Sequence, residues 1–377
     1  MDLSYYRNLI MQSARLDAFR RALGIVVQKG DRVLEVGTGL GTYTFFAVEA
    51  GADEVWAVDD APVVHLAEDV ARENGIGSIR WVRGRVPEVG IPGPVDVLVY
   101  EDFSPRLLDP AMWGLYRALH RHTVTEKTRF VPRRGLLRAA PASVPDLVSV
   151  PEGPGAHGIR WDALRPYLAN LPRSGTAEPD ALLAPGATLC TVDFGVPPSR
   201  WPLGGTAHFT AERPGQLSAL AMWHVLELAP GITLDNAPGA HPGSWGHLVL
   251  PCDPPLEVAR GTTITVDIRF DADAAGVPMW LSWKVTVGAR CVRGHEMAGF
   301  PAAGADLVAA SPDGRPGLSA EGRLLSEMLA LADGTRTAAE IAGVLRLSYP
   351  DEDESDLLAR VLSHAGAGLL VWKREVP

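Results

Sequence analysis

The chain has 377 residues, enough for two or three domains of about 150 residues each, and 46% of them are apolar. Its formal net charge of −10 argues against general binding to nucleic acid or to anionic membranes. No run approaches the ~18 apolar residues of a membrane span, and the N-terminus lacks a basic-then-apolar secretory layout. The three cysteines lie far apart, which disfavours a disulfide framework or a zinc ribbon and favours a cytoplasmic protein.

Residues 1–137 alternate helix-like and strand-like stretches. The sequence predicts strands at 32–36, 55–58, 79–82 and 95–100. It predicts helices at 9–23, 42–50 and 62–74. Such alternation is typical of βαβ units around a parallel sheet, so we expect a Rossmann-like α/β domain here.

The pattern changes after residue 137. Short strand-like runs separated by Pro and Gly turns occupy 188–194, 221–228, 247–250, 262–270 and 280–287. They predict an antiparallel β barrel or sandwich over 138–289. Helices return in 290–377, at 319–332, after the capping box Thr337–Glu340, and at 355–364, and a strand-like run follows at 369–372. This order predicts a small winged-helix-like domain.

Three glycines follow the first predicted strand and open the next helix: Gly37, Gly39 and Gly41. Glycines there permit a tight turn and close approach of the backbone to a ligand. Asp59 ends the next strand, where a carboxylate can accept hydrogen bonds from two ribose hydroxyls. The dinucleotide fingerprint needs a glycine at position 42, which is Thr42. This spacing, with Glu35 before the first glycine, favours S-adenosyl-L-methionine as the cofactor, and Asp60 beside Asp59 is a further candidate ligand.

These motifs resemble those of the protein arginine methyltransferases, which are class I S-adenosyl-L-methionine-dependent enzymes. The stretch 15–23 is similar to the family's R-x-x-x-Y-x-x-A-I helix, which implies that Arg15 pairs with the cofactor's carboxylate. The stretch 82–92 resembles the adenine-binding segment, which implies roles for the Val86 backbone and the Glu88 carboxylate. The stretch 235–247 resembles the segment ending in T-H-W-K-Q, with Trp245 in common.

Arginine methylation is served by two carboxylates, because they bind a guanidinium bidentately and leave one nitrogen free. The family places two glutamates nine residues apart on one loop. Here Glu101 matches the first and Pro110 stands at the second. Either Asp102 or Asp109 serves as the second carboxylate, or the acceptor is not arginine. The alternative role for Asp109 is to cap a helix that starts at Pro110.

Two histidines near Trp245, His241 and His247, are candidates for a general base or for acceptor binding. No grouping of His, Asp or Glu has convincing metal-ligand spacing, so no metal is expected. The family's tyrosine-rich N-terminal helix is reduced to Tyr5 and Tyr6. Its dimerisation arm would fall within 161–183, which carries three prolines, and a homodimer is left open.

The C-terminal region contains the run D-G-T-R-T from Asp333 to Thr337 and resembles the peptide chaperone of pyrroloquinoline quinone biosynthesis. Such domains bind the leader of a ribosomally made peptide by strand pairing. Residues 291–377 hold 8 Lys and Arg against 13 Asp and Glu, a net −5 that disfavours DNA binding. We therefore expect methylation of a protein or peptide side chain, with arginine as one acceptor. The alternatives are a small-molecule methyltransferase and a catalytically weak binding protein with this fold.

Overall fold

The computed structural model of the chain describes residues 3–91, 93–151, 158–240, 245–301 and 317–366. The chain divides into two compact units, Met1–Pro301 and Ala302–Pro377. The first unit contains a five-stranded parallel sheet followed along the chain by two antiparallel sheets. The parallel sheet and the antiparallel sheets predicted from the sequence are therefore confirmed.

The parallel sheet is built from β1 (Arg32–Val36), β2 (Glu54–Asp59), β3 (Ile79–Arg83), β4 (Val97–Tyr100) and β5 (Arg129–Val131). Its strand order is β3-β2-β1-β4-β5. The strand order reverses between β1 and β4, and such a switch point opens a crevice at the carboxyl ends of the strands.

The helices that accompany this sheet are α1 (Leu3–Ile10), α2 (Ser13–Val26), α3 (Thr42–Glu49), α4 (Val63–Glu73) and α5 (Pro110–His122). The face of α2 that carries Phe19, Ala22 and Leu23 is fully buried, as the spacing of these apolar residues requires. The helix predicted at 9–23 is in fact two helices, because Gln12 has non-helical backbone angles.

The antiparallel sheets are built from β6 (Arg134–Ala142), β7 (Arg173–Gly175), β8 (Ala187–Asp193), β9 (Gly204–Thr210), β10 (Gly215–Ala229), β11 (Ile232–Asp235), β12 (His247–Val258), β13 (Thr263–Ala272), β14 (Pro278–Val287) and β15 (Arg290–His295). The first sheet has the order β7-β12-β10-β6-β8, with β11 on β10, and the second has the order β15-β14-β13-β9. Alternate side chains of β13, such as Ile264 and Val266, are buried with Leu250 of β12 in one core. The indole Nε1 of Trp283 also donates to the carbonyl of Pro251 at 2.7 Å, which links β14 of the second sheet to β12 of the first.

Both domain boundaries predicted from the sequence divide a sheet. Strand β6 crosses the boundary at 137/138 and pairs along its length with β10. Strand β15 pairs with β14, although the third domain was predicted to begin at residue 290. Gly288, with φ +56°, lies in the short turn between β14 and β15, and a hairpin turn of this kind continues a sheet rather than ending a domain.

The second unit contains α7 (Ala320–Leu331), α8 (Ala338–Ser348) and α9 (Glu354–Gly366). The capping box is present, since Thr337 and Glu340 each bond the other's backbone N–H. Buried side chains from the three helices, including Met328, Ile341 and Leu357, form a separate core. The strand predicted at 369–372 lies outside the described residues. Among the described helices of the chain, none is long and apolar enough to cross a membrane.

Between β6 and β7 the chain forms the short helix α6 (Arg165–Leu168). Several large apolar side chains around it are exposed: Ile159, Trp161, Leu164, Tyr167 and Leu171. This is the region in which the resemblance places a dimerisation arm.

Candidate active site

A cavity of about 660 Å³ opens at the switch point between β1 and β4. Its volume falls in the range of about 300–1,000 Å³ that is usual for small-molecule sites. The wall is made by the loops that follow β1, β2, β3 and β4, and by residues of α1, α2 and α5. Tyr5 and Tyr6 of α1 are part of this wall, so the reduced tyrosine helix still covers the cavity.

The loop between β1 and α3 turns through three left-handed glycines, Gly37 (φ +77°), Gly39 (φ +54°) and Gly41 (φ +79°). A Cβ on Gly41 would lie 2.7 Å from the ring of Trp81, and one on Gly39 would lie 3.2 Å from the ring of Tyr6. The first of these contacts is too short for any side chain, so glycine is required there. The loop leads directly into the N-terminus of α3 at Thr42.

Asp59, the last residue of β2, bonds the glycine loop through its side chain. One carboxylate oxygen accepts from the N–H of Gly39 at 2.7 Å, and the other accepts from the N–H of Ala61 at 2.8 Å. Burial raises the pKa of Asp59. Each oxygen keeps a second lone pair for a ligand hydroxyl. Asp60 also lines the cavity, but its carboxylate accepts from Arg85 at 2.7 Å.

Glu35 lies beneath the glycine loop and is only 2% exposed. Its carboxyl group bonds the hydroxyl of Thr44, which lies 3.1 Å from the hydroxyl of Thr38. Burial raises the pKa of Glu35 to about 8. The group is therefore mostly protonated at neutral pH and acts as an uncharged part of the cavity floor.

We expect Glu35→Gln to flatten the pH dependence of the free energy of unfolding. The carboxyl group of Glu35 titrates near 4.5 when unfolded and about 8 when folded, so the folded state holds an extra proton between these values. Its stabilisation is full below pH 4.5 and is lost as pH rises through about 8, at about 1.4 kcal/mol per pH unit. Urea unfolding at several pH values between 4.5 and about 8 measures how steeply the free energy of unfolding falls with pH. Glu73→Gln, at an exposed site on α4, is the control, and an unchanged slope in Glu35→Gln would refute the assignment.

Glu101, the first residue after β4, is held from two directions. Its Oε1 accepts from the indole Nε1 of Trp245 at 2.7 Å, and its Oε2 forms an ion pair with Arg15. Arg15 is buried in α2 and donates through Nε to the hydroxyl of Tyr43 at 2.7 Å. The Arg15 guanidinium also lies 5.0 Å from the ring centre of Trp245. The carboxylate of Glu101 is thus fixed where the parallel sheet meets the antiparallel sheets.

The two aspartates of the loop that follows β4 have different surroundings. Asp102 lines the cavity, and no donor among the described residues bonds its carboxylate. Desolvation and the nearby carboxylates of Asp109 and Asp59 raise the pKa of Asp102. The carboxylate of Asp109 instead accepts from the N–H of Met112 at 2.9 Å and caps α5. The structure therefore brings Asp102, but not Asp109, to the cavity beside Glu101.

The segment after β3 places its two predicted residues apart. Val86 lines the cavity, as the adenine-binding role requires. Glu88 is exposed and lies outside the residues that line the cavity. The reason is a helical turn, in which the N–H of Val89 donates to the carbonyl of Arg85 at 3.0 Å and turns Glu88 outward.

His247 is structural rather than catalytic. It is 1% exposed, and its Nδ1 accepts from the N–H of Ala177 at 2.8 Å. Its Nε2 therefore carries the proton and donates to the carbonyl of Asn236 at 2.8 Å. With both nitrogens engaged, His247 has no free position for an acceptor, so its candidacy as a general base was wrong. His241 lies outside the described residues.

Sequence reasoning missed Tyr43, which orients Arg15, and Arg106, which forms a two-pronged ion pair with Glu296. Neither residue has a local signal, because each partner lies far away along the chain. Among the described residues there is no group of three or more His, Cys, Asp or Glu that could hold a metal ion.

No family model matches the chain. The arginine N(omega)-methyltransferase of Streptomyces achromogenes subsp. streptozoticus is 25% identical over 273 residues, which are 70% of this chain and 74% of that enzyme. The histone-arginine methyltransferase CARMER of Drosophila erecta is 32% identical over 151 residues, which are 39% of this chain and 28% of that protein. The chain thus spans about three quarters of the bacterial relative but less than a third of the insect one.

Solved structures of arginine methyltransferases share this fold. The Trypanosoma brucei PRMT1 enzyme-prozyme heterotetrameric complex with AdoHcy superposes with a TM-score of 0.68 at 21% identity, over 77% of this chain and 97% of that one. Arabidopsis thaliana protein arginine methyltransferase 10 superposes with a TM-score of 0.63 at 17% identity, over 78% and 98%. Together with the glycine loop and its cavity, these similarities identify an S-adenosyl-L-methionine-dependent methyltransferase with the fold of the protein arginine methyltransferases.

Proposed function

We propose that this protein methylates the side chain of an arginine in a protein or peptide. The observation that carries the proposal is the Glu101 carboxylate, which Trp245 and Arg15 hold at the cavity beside Asp102. A pair of acidic side chains at this point suits a cationic, planar acceptor. The Streptomyces relative is an arginine N(omega)-methyltransferase, which supports the same acceptor.

The cavity fits the cofactor. Gly37 and Gly39 line it without a Cβ, and Asp59 keeps acceptor capacity for ribose hydroxyls. Arg15 supplies a cation for the cofactor's carboxylate, and Val86 lines the side on which the resemblance places the adenine. When bound, the cofactor supplies an electrophilic methyl group on a sulfonium sulfur. The parallel-sheet part of the chain would thus bind the cofactor, and the antiparallel sheets would complete the acceptor side.

Glu101 and Asp102 orient the acceptor in this proposal. Trp245 occupies one oxygen of Glu101 and Arg15 the other, so Glu101 contributes its remaining lone pairs to one side of the guanidinium. Asp102 contributes a carboxylate that no described donor engages. Because its pKa is raised, Asp102 is also suited to take the proton that the guanidinium nitrogen loses on methylation. Positioning supplies most of the rate in such a transfer.

Mass spectrometry of arginine-containing peptides incubated with isotopically labelled S-adenosyl-L-methionine tests the proposal. We expect the label on a guanidinium nitrogen. Label on a hydroxyl or carboxyl oxygen would replace arginine with another acceptor, and label only on a small molecule would favour a biosynthetic methyltransferase. Binding of AdoHcy without transfer to any acceptor would favour the catalytically weak binding protein.

We propose further that the second unit recruits the peptide, with a ribosomally made precursor as the substrate class. Its three helices share a hydrophobic core of their own, as the helices of a separate binding domain do. It also carries exposed apolar side chains, among them Leu329, Val344, Leu347 and Leu362, which suit contact with a partner chain.

Deleting residues 302–377 should leave AdoHcy binding intact and lower kcat/KM for a full-length acceptor by about 10-fold or more, as loss of a tethered binding module does. The same deletion should leave the rate with a short arginine peptide unchanged, which is the control. Calorimetry and steady-state kinetics measure the two quantities. Wild-type kinetics of the shortened protein on the full-length acceptor would rule out recruitment by this unit.

A homodimer remains an expectation. The exposed apolar residues around α6 lie where the resemblance places the dimerisation arm, and the T. brucei structure is a heterotetramer. Light scattering of the purified protein, compared with a Trp161→Ser variant, measures whether this segment holds two copies together.

A further inference from the structure

The loop between β4 and α5, residues 101–109, is called the acceptor loop here. Contacts described above hold its two ends, through Glu101 and through the cap at Asp109. Its middle is held by Arg106. The Nη1 of Arg106 donates to Oε1 of Glu296 at 3.2 Å, and its Nη2 donates to Oε2 at 2.9 Å. The two side chains are 20% and 13% exposed, so water screens this pair poorly.

Glu296 is itself fixed in place. Its Oε2 also accepts from the backbone N–H of Leu281 on β14 at 2.6 Å. Glu296 begins the short turn Glu296–Gly299, directly after β15, and the preceding N–H of His295 donates to Asn170 at 2.9 Å. The Arg106 guanidinium lies 5.5 Å from the ring centre of Phe270 on β13. Arg106 is therefore anchored to the second antiparallel sheet, 190 residues away along the chain.

The residue after Arg106 has a strained backbone. Leu107 has φ +61°, a left-handed conformation that residues with a side chain rarely adopt. Its side chain is fully buried, and the N–H groups of Leu107 and Leu108 bond the carbonyls of Ser104 and Arg106 at 3.0 and 2.7 Å. Such a conformation persists only where the surroundings determine it strongly.

We infer that the Arg106–Glu296 ion pair positions the acceptor loop, and that it sets acceptor binding rather than cofactor binding. This inference rests on the proposed function, in which Glu101 and Asp102 of this loop hold the acceptor. Arg106 does not line the cofactor cavity, so it acts through the loop and not by touching the cofactor. The left-handed backbone at Leu107 favours a change to a more common conformation. The two-pronged bond between Arg106 and Glu296 opposes that change.

Hydrogen–deuterium exchange tests the inference without any acceptor. In Arg106→Gln and in Glu296→Gln we expect the amides of Leu107 and Leu108 to exchange about 10-fold faster or more, because local opening becomes easier. Exchange of the glycine loop should stay as in the wild type, and the dissociation constant for AdoHcy should stay within about twofold. Arg106→Lys, which keeps the charge but not the two-pronged geometry, should give an intermediate value.

Kinetics on an arginine peptide that the wild type methylates supply the second readout. We expect KM for the peptide to rise about 10-fold in Arg106→Gln while KM for the cofactor is unchanged. Arg269→Gln, which breaks an exposed ion pair with Asp271 on the same sheet, is the matched control and should change neither readout. Unchanged exchange in both Arg106→Gln and Glu296→Gln would overturn the inference. If exchange is faster in these variants but the wild type methylates no arginine, the Arg106–Glu296 pair still positions the loop, and the proposed function is wrong.

Discussion

Glu101→Gln is expected to lower the rate of methyl transfer by about 10²–10³-fold, since one partner of a largely buried charge pair is lost. The substitution removes the charge that pairs with Arg15 and that would face the acceptor guanidinium, while the amide keeps the size of the side chain. Arg15 is 6% exposed, so it would remain as a buried cation with a weaker partner. Binding of the acceptor and binding of the cofactor would both become weaker.

Steady-state kinetics of the purified variant measure this loss. Asp109→Asn is the matched control in the same loop, because asparagine caps a helix about as well as aspartate and α5 would be preserved. Near-wild-type activity of Glu101→Gln would mean that Glu101 does not bind the acceptor, and an uncharged or anionic acceptor would then replace arginine. A severe loss of activity in Asp109→Asn would mean that Asp109 is the second carboxylate that binds the acceptor.

Asp59→Ala should weaken AdoHcy binding by about 100-fold or more, because two hydrogen bonds to a charged group are each worth about 1.5–3 kcal/mol. The same change frees the N–H of Gly39, so the glycine loop also loses one of its hydrogen bonds to β2, while the bonds from Gly37 and Thr38 to the carbonyl of Val58 remain. Calorimetry measures the affinity. Asp69→Ala, which removes an exposed carboxylate from α4, is the control. If Asp59→Ala binds AdoHcy as tightly as the wild type, Asp59 does not bind the cofactor.

The local elements of the fold follow from the sequence alone. Strand β1 has the predicted bounds, 32–36, because a short apolar run ends at a glycine turn. Thr337 caps the start of α8 as predicted, because a capping box is a local signal. The roles of Asp109 were left open, and Pro110 in the first turn of α5 already pointed to the cap that the structure contains.

The long-range contacts of the site could not be predicted. Trp245 reaches Glu101 across 144 residues, and no periodicity or spacing encodes which carboxylate an indole will meet. His247 looked like a loop histidine beside Trp245, yet it begins β12 and is buried. Burial of a polar side chain depends on how the sheets pack, and that information is spread over the whole chain.

The ion pair between Arg106 and Glu296 also bears on when the enzyme becomes competent during its synthesis. The ribosome adds about 5–20 residues per second, and N-terminal segments fold first. The parallel sheet is complete once β5 has emerged, so a cofactor pocket can form early. The acceptor loop must wait for Glu296, the partner of Arg106 that emerges last. A chain that ends before residue 296 would lack this partner, so its acceptor loop would be held less firmly, and the proposed acceptor site would be complete only near the end of translation.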